Sequence, residues 1–218
     1  MLRRFLQRLK ESSEPVFLNI ERVSIARTEQ LEEALPKVRE QLNVSAIPPP
    51  DPPLTPLLIA SRWVSRDLHN EQIPGIAADL LEAGYDTPAL IRLAGEMHIY
   101  ASPDADRLIG KMFRELGVSW PMPEVQAKLI TTRQIAREVM ADVRDPYQAA
   151  THIEIVLWGW HPPTEALGDL FQINDEVSWD SEYRRDPSDI FYDRLEAFAR
   201  IACMTDEQIA NVSAEESK

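Results

Sequence analysis

The chain has 218 residues, 44% of them hydrophobic, so it is long enough to bury one good-sized core, with or without a smaller attachment. Its 36 acidic residues outnumber its 23 basic residues and give a formal charge of −13. This charge disfavours binding to nucleic acid and to anionic membranes, and it favours a basic partner. The single cysteine, Cys203, cannot form an internal disulfide, which is typical of a reducing cytoplasmic compartment.

Residues 1–46 predict a small element of helix and strand. The start, MLRRFLQRLKE, predicts an amphipathic helix that we expect to dock on the protein's own core; a membrane-surface helix is the alternative. Residues 16–25, VFLNIERVSI, alternate apolar side chains and predict one short strand, and residues 28–42 have helical spacing. No apolar run reaches the roughly 20 residues of a membrane span, so we expect no stable membrane association.

Residues 47–56, IPPPDPPLTP, contain six prolines and separate this element from the rest of the chain. Proline removes backbone donors and fixes φ, so the segment predicts an extended linker or a strap over the surface. A polyproline ligand for a recognition domain is the alternative. The lack of flanking basic residues favours the spacer.

Residues 57–212 predict an all-α domain, a multi-helix bundle or a stack of helical hairpins. The strongest signals are pairs in which a capping side chain precedes proline at the first helical position. There are four such pairs: Thr87-Pro88, Ser102-Pro103, Asp145-Pro146 and Asp186-Pro187. Thr205 and Gln208 have the spacing to cap a terminal helix, and residues 213–218 predict a disordered tail.

The longest helix is predicted to begin at Thr131, because Thr131 and Gln134 have capping-box spacing, and to end at Arg144. The next segment, DPYQAATHIEIVLWGW, has a β-branched run, IEIV, but its proline start favours a helix. The tryptophans of VLWGWHPP, Trp158 and Trp160, are expected to fill the core at the end of that helix.

The stretch GYDTPALIRLAGE, residues 84–96, predicts a tight corner between two helices. Gly84 is expected to end the first helix in the left-handed conformation, and Thr87 to cap the second. Leu90, Ile91 and Leu93 are expected to point toward the core. Only Tyr85 and Asp86 are left without a structural role.

Catalytic patterns are missing from the sequence. None of the four histidines pairs at the spacing of a helical metal site, so a metal would require tertiary convergence, for example around His152 and Glu154 or Asp67 and His69. There is no nucleophile elbow, and the seven glycines form no phosphate-binding loop. Cys203 is expected to be a buried, inert thiol. We therefore predict no catalytic residues, no cofactor and no metal.

The segment NDEVSWDSEYRRDPSDIFYD, residues 174–193, mixes acidic and aromatic side chains. Such a mixture can steer and anchor a basic protein partner, although a solvated loop pinned by its aromatics is an equal alternative. The predicted partner-binding residues are Asp175, Glu176, Trp179, Asp180, Glu182 and Tyr183.

Two motifs resemble those of uncharacterised bacterial all-helical proteins. GYDTPALIRLAGE is similar to their GYD-[ST]-P-L-LAG corner, and ITTRQIAREVMADVRDPYQAATHI is similar to the IA-E-(x)-DPY-A helix pair that follows it. The resemblance covers residues 74–175. Some members look like the small acidic immunity proteins that accompany bacterial toxins, which implies a protein partner. No catalytic residue is implied.

Two functions remain open. The first is a non-enzymatic cytosolic protein that binds another protein. In its most specific version, the protein neutralises a basic toxin or effector. The alternative is an enzyme or small-ligand-binding protein whose site is assembled from distant helices. That alternative predicts a deep pocket lined by Trp158, Trp160, His98 or His152 together with several converging acids.

Overall fold

A computed structural model of the chain describes residues 40, 47–96, 99, 102–160, 167–168 and 187–216. Within these ranges the protein has eight α-helices, one short 3₁₀ helix and no strand, so the predicted all-α fold is confirmed. The strand and the helices predicted within residues 1–42 lie outside the described part, apart from the helical Glu40. The helices are α1 Pro56–Val64, the 3₁₀ helix Asn70–Gln72, α2 Ile73–Glu82, α3 Pro88–Ala94, α4 Pro103–Glu115, α5 Glu124–Met140, α6 Pro146–Leu157, α7 Pro187–Ala202 and α8 Asp206–Glu216.

Four helix starts have the local side-chain caps that the sequence predicts. Thr87, Ser102 and Asp145 each accept a hydrogen bond from the backbone N–H three residues on, at 3.3, 3.2 and 3.0 Å. Before α8, the backbone N–H of Thr205 donates to Gln208 Oε1 at 2.8 Å, and the N–H of Gln208 donates to Thr205 Oγ1 at 3.2 Å. Each bond satisfies a donor that the first turn of a helix leaves unpaired.

Helix α5 is the centre of the fold, and it packs against α1, α6, α7 and α8. It begins at Glu124 and ends at Met140, so the predicted start at Thr131 and end at Arg144 are wrong. Thr131 lies in mid-helix, where its hydroxyl is 3.3 Å from Ser65 Oγ. Thirteen of the 17 residues of α5 are buried, including several polar ones, so these polar groups need partners inside the protein.

Apolar side chains form two cores that both include residues of this helix. The N-terminal core lies among α1 to α4 and includes Leu80, Leu90 and Phe113; the C-terminal core lies among α5 to α8 and includes Ile153 and Phe198. Helix α5 contributes to both cores. The two halves are therefore joined along one buried helix.

Four helices end in the same backbone motif, in which the residue after the C-cap has a positive φ and two successive N–H groups bond back to the last helical turn. This residue is Gly84 after α2 and Gly117 after α4, with φ of 94° and 82°. It is Arg66 after α1 and Asp142 after α5, with φ of 63° and 58°. In each case its N–H and the next N–H bond back to carbonyls of the last helical turn, at 2.8 to 3.2 Å.

The Pro-rich segment is tied to the central helix. The backbone N–H of Asp51 donates to Gln134 Oε1 at 2.8 Å, and Gln134 Nε2 donates to Asp51 O at 3.1 Å. Arg137 Nη1 adds a bond to the Asp51 carboxylate at 3.2 Å. These contacts hold the segment against α5 just before the chain enters α1.

Several side chains differ from the expected burial. Ile91 is 54% exposed and Trp158 is 73% exposed, so neither is a core residue, whereas Trp160 is half-buried against the C-terminal core. Tyr85 is partly exposed. Helix α8 continues to Glu216, so residues 213–216, predicted as part of a disordered tail, are helical. Over the ranges given above, no helix combines the length and the apolar character needed to cross a membrane.

Candidate functional site

One pocket lies where the Pro-rich segment, α1, α5 and α6 meet, and its volume is ≈ 100 Å³. This is large enough for several water molecules or a small polyatomic ligand. Part of the wall is apolar, formed by Pro53, Leu58 and Ile135. The rest is polar and is formed by Arg62, Asp67, Thr131, Gln134, Glu138, Arg144 and His152.

Asp67 is the most strongly bound charge in the pocket. Its Oδ1 accepts a hydrogen bond from Nε2 of His152, and its Oδ2 accepts one from Nε of Arg62 at 2.6 Å. Burial by itself raises the pKa of Asp67, but the hydrogen bonds from His152 and Arg62 outweigh it and lower the pKa to about 2. Asp67 is therefore a carboxylate at neutral pH.

The contacts of His152 define its tautomer. Nη1 of Arg144 lies 2.9 Å from Nδ1 of His152. A guanidinium only donates hydrogen bonds, so Nδ1 must be the acceptor and Nε2 must carry the ring proton. In this geometry His152 is neutral, with an anion on one side and a cation on the other.

The polar contacts continue from Arg144 along α5. Arg144 Nε lies 3.2 Å from Glu138 Oε2, and Gln134 Nε2 donates to Glu138 Oε1 at 3.1 Å. Gln134 also bonds to Asp51, so one chain of contacts runs from α1 to the Pro-rich segment. It fixes four separate parts of the sequence around the pocket.

Two helix ends deliver the ionic side chains. The left-handed Arg66 turns the chain after α1, so that Asp67 folds back onto Arg62 of the same helix. The left-handed Asp142 does the same after α5, so that Arg144 folds back onto Glu138. Each corner therefore brings one acid and one arginine to the pocket.

Helix α5 also carries two buried arginines, Arg133 and Arg137, that bond to backbone carbonyls. Arg137 Nε donates to Ala202 O at 3.1 Å, and Arg133 Nη1 donates to Met204 O at 3.0 Å. These bonds satisfy carbonyls at and just beyond the C-terminal end of α7, which has no intrahelical donors for them. Burial is the main cause that lowers the pKa of Arg137, and the nearby Arg133 adds to it.

The imidazole and the hydroxyl that line the pocket are engaged in contacts with other side chains. Both ring nitrogens of His152 are occupied, and the hydroxyl of Thr131 bonds to Ser61 and Ser65 instead of to the imidazole. In the described part of the chain, no group of three or more His, Cys, Asp or Glu residues could hold a metal ion. Cys203 is partly exposed instead of buried as predicted, and burial raises the pKa of its thiol.

The sequence-predicted site residues have different outcomes. His152 lines a pocket with converging acids, as the second hypothesis predicts, but Trp158 and Trp160 do not line it. His98 and the six predicted partner-binding residues, Asp175, Glu176, Trp179, Asp180, Glu182 and Tyr183, lie outside the described residues.

Sequence spacing gave no indication of Arg62, Glu138 or Arg144. Asp67 and His152 are 85 positions apart, so no local motif joins them. Arg62 precedes Asp67 by five residues near the end of a predicted helix. Such a pair of residues is too common in sequences to indicate a site.

Comparison with known proteins adds no relative. No protein-family model, curated protein or solved structure matches this chain. The resemblance to bacterial helical proteins with a GYD-[ST]-P-L-LAG corner therefore stays a prediction.

Proposed function

We propose that the protein binds a small polar ligand in the pocket between α1, α5 and α6. One observation carries the proposal: five ionisable side chains from separate segments converge on one open cavity. They are Arg62, Asp67, Glu138, Arg144 and His152.

Bringing these charged side chains together has an unfavourable desolvation free energy. Partly buried charges lose hydration, and an ion pair recovers that loss only when its geometry is good. Apolar residues of similar volume could join α1, α5 and α6 without this cost. A concave site with an apolar wall and a few convergent polar groups is the usual form of a small-molecule site.

The test is a screen of small polar molecules by thermal unfolding, run on the wild type and on Arg144→Gln. Ligands of the pocket should raise the melting temperature of the wild type and lose that effect in Arg144→Gln. The matched control is Arg107→Gln, which removes an arginine paired with Asp104 at an exposed site on α4. The proposal is contradicted if no molecule stabilises the wild type, or if every stabilising molecule acts equally on Arg144→Gln.

A second candidate function is binding of a basic protein partner. The most specific version of this proposal is neutralisation of a toxin. It is favoured by two exposed apolar residues, Ile155 and Trp158, which are 67% and 73% exposed. They lie three residues apart at the end of α6, on a protein with a formal charge of −13. Tryptophan is enriched at the energetic centres of protein interfaces, and acidic charge steers a basic partner.

This candidate is tested by capture from the native host, followed by substitution. Ile155→Ser with Trp158→Ser should abolish capture of a basic partner, and Ile91→Ser, at an exposed site on α3, should leave it intact. Co-expression should protect cells from a toxin encoded beside this gene. Capture that is the same with all three substitutions, or no protection, would count against it.

A further inference from the structure

We infer that the ligand of the pocket is a small organic carboxylate, held by the guanidinium groups of Arg62 and Arg144. This inference rests on the proposed small-ligand function and names its ligand class. Three properties of the pocket support a carboxylate ligand: its hydrogen-bonding capacity, its charge and its apolar wall.

The acceptors of the pocket are already engaged. Asp67 accepts bonds from His152 and Arg62, one on each oxygen. Glu138 accepts from Gln134 on Oε1 and faces Arg144 Nε with Oε2. Three of these four carboxylate oxygens therefore accept a hydrogen bond from a side chain, and the fourth forms an ion pair, so a ligand that brings donors meets acceptors that already have partners.

The donors of the pocket are in surplus. Arg62 uses only Nε, and Arg144 uses Nε and Nη1, in contacts with other described residues. Within the described residues, neither the Nη groups of Arg62 nor Nη2 of Arg144 has a partner, and their N–H groups are the donors that the inferred ligand would use. A planar guanidinium matches the two oxygens of a carboxylate, and such charge-assisted bonds are stronger than neutral ones.

The charge of the pocket also permits an anion. The two carboxylates are balanced by the two arginines, and His152 is neutral in this geometry. An incoming anion therefore meets paired acids and not an excess of negative charge. The ion pair between Arg144 Nε and Glu138 Oε2 restrains the guanidinium, and the Arg144 side chain is 30% exposed, so a small solute can reach part of it.

The apolar wall separates an organic carboxylate from an inorganic anion. Pro53, Leu58 and Ile135 line the same cavity as the arginines. A short aliphatic chain can bury its apolar surface against these three side chains, which is favourable. Phosphate has no apolar surface to bury there. The volume of ≈ 100 Å³ limits the ligand to a few heavy atoms beyond the carboxylate.

The experiment compares propionate with propionamide, which has nearly the same shape and no charge. Each is titrated into the isotopically labelled full chain by NMR at constant ionic strength. We expect propionate to bind with a dissociation constant on the order of 1 mM and propionamide to bind at least about tenfold more weakly. Inorganic phosphate is the third probe and should bind more weakly than propionate.

Substitutions locate the binding. Arg144→Gln and Arg62→Gln should each weaken propionate binding about tenfold or more, Arg144→Lys should have an intermediate effect, and Arg107→Gln should have none. If Arg144→Gln unfolds the protein, Arg144→Lys remains a test, because lysine keeps the positive charge but lacks the planar guanidinium that binds both oxygens of a carboxylate. Propionate-induced shifts should centre on the His152 ring.

The outcomes separate the inference from the proposed function. If propionamide binds as tightly as propionate, or phosphate binds more tightly, the carboxylate class is wrong and the pocket remains a ligand site. If propionate binds but Arg144→Gln and Arg62→Gln leave its affinity unchanged, the anion lies elsewhere on the surface and the inference is overturned. If no probe binds and the screen finds no ligand, the proposed function fails as well.

Discussion

Two pairs of helix ends share one backbone geometry and differ in the residue that adopts it. Helices α2 and α4 end at Gly84 and Gly117, whereas α1 and α5 end at Arg66 and Asp142. Glycine adopts a positive φ without steric cost, but a residue with a Cβ is disfavoured there by roughly 1–2 kcal/mol. Two corners therefore have the residue that adopts a positive φ at low conformational cost, and the other two have residues for which this cost is higher.

The positions of the corners show what separates the pairs. The corners at Gly84 and Gly117 lead into loops beside the N-terminal core, and neither residue lines the pocket. The corners at Arg66 and Asp142 are followed by Asp67 and Arg144, which do line it. Strained backbone concentrates at binding sites, because the surrounding contacts hold it in place. The ionic contacts of Asp67 and Arg144 are the contacts that can do so here.

The largest expected effect tests the corner after α1. Asp67→Asn should lower the free energy of unfolding by about 2 kcal/mol at neutral pH, because the pKa of Asp67 falls from 3.8 to about 2 on folding. The folded pKa lies below the unfolded one, so this stabilisation is complete above about pH 4 and is lost as the pH falls through about 2. Urea unfolding of both proteins over this pH range measures the difference.

The control for this substitution is Asp104→Asn. Asp104 also pairs with an arginine, but its side chain is 90% exposed, so little stability should be lost. If Asp67→Asn matched this control, or if its deficit did not shrink in acid, the ionic contacts would not be what holds the corner.

An intermediate effect tests the glycine corners. Gly84→Ala and Gly117→Ala should each lower the free energy of unfolding by about 1 kcal/mol. No atom lies within 4 Å of an added Cβ at either position, so the cost is conformational and not steric. Chemical denaturation measures it.

Gly75 in α2 provides the matched control, because it also has nothing within 4 Å but has no positive φ. Gly75→Ala should raise the free energy of unfolding by about 0.5–1 kcal/mol, since alanine is the better helix former. Equal effects at Gly75 and Gly84 would show that the left-handed geometry does not decide these ends.

The smallest effect tests the strained corners directly. Arg66→Gly and Asp142→Gly should each raise the free energy of unfolding by about 0.5 kcal/mol, because relief of the positive φ slightly exceeds the entropy that glycine adds to the unfolded chain. Both side chains are exposed, so little packing is lost. A clear decrease in stability would show that the Arg66 or Asp142 side chain itself supports the corner.

Most helix starts could be predicted because their signals are local. Thr87, Ser102 and Asp145 bond to a backbone N–H only three residues away, so the pattern and the contact lie in the same short window. The same kind of pattern failed at Thr131. A helix buried on all sides has no apolar stripe to show that it continues upstream, and its polar residues find partners in other helices.

Side-chain exposure was less predictable. Ile91 and Trp158 lie in apolar stretches of sequence, yet both are exposed. Which side of a short helix faces the core depends on where its neighbours pack, and α3 and α6 are only 7 and 12 residues long. A small difference in orientation therefore moves a large side chain from the core to the surface.

The sequence by itself determined the fold class, the capped helix starts and the glycine corner at Gly84, because each depends on hydrogen bonds and conformational preferences within a few residues. Only the tertiary structure decided the pocket. It pairs Asp67 with His152 across 85 positions and Asp51 with Gln134 across 83. Polar groups at such separations meet only after the helices and the Pro-rich segment have packed, so the tertiary contacts, and not the spacing of the residues, place them together.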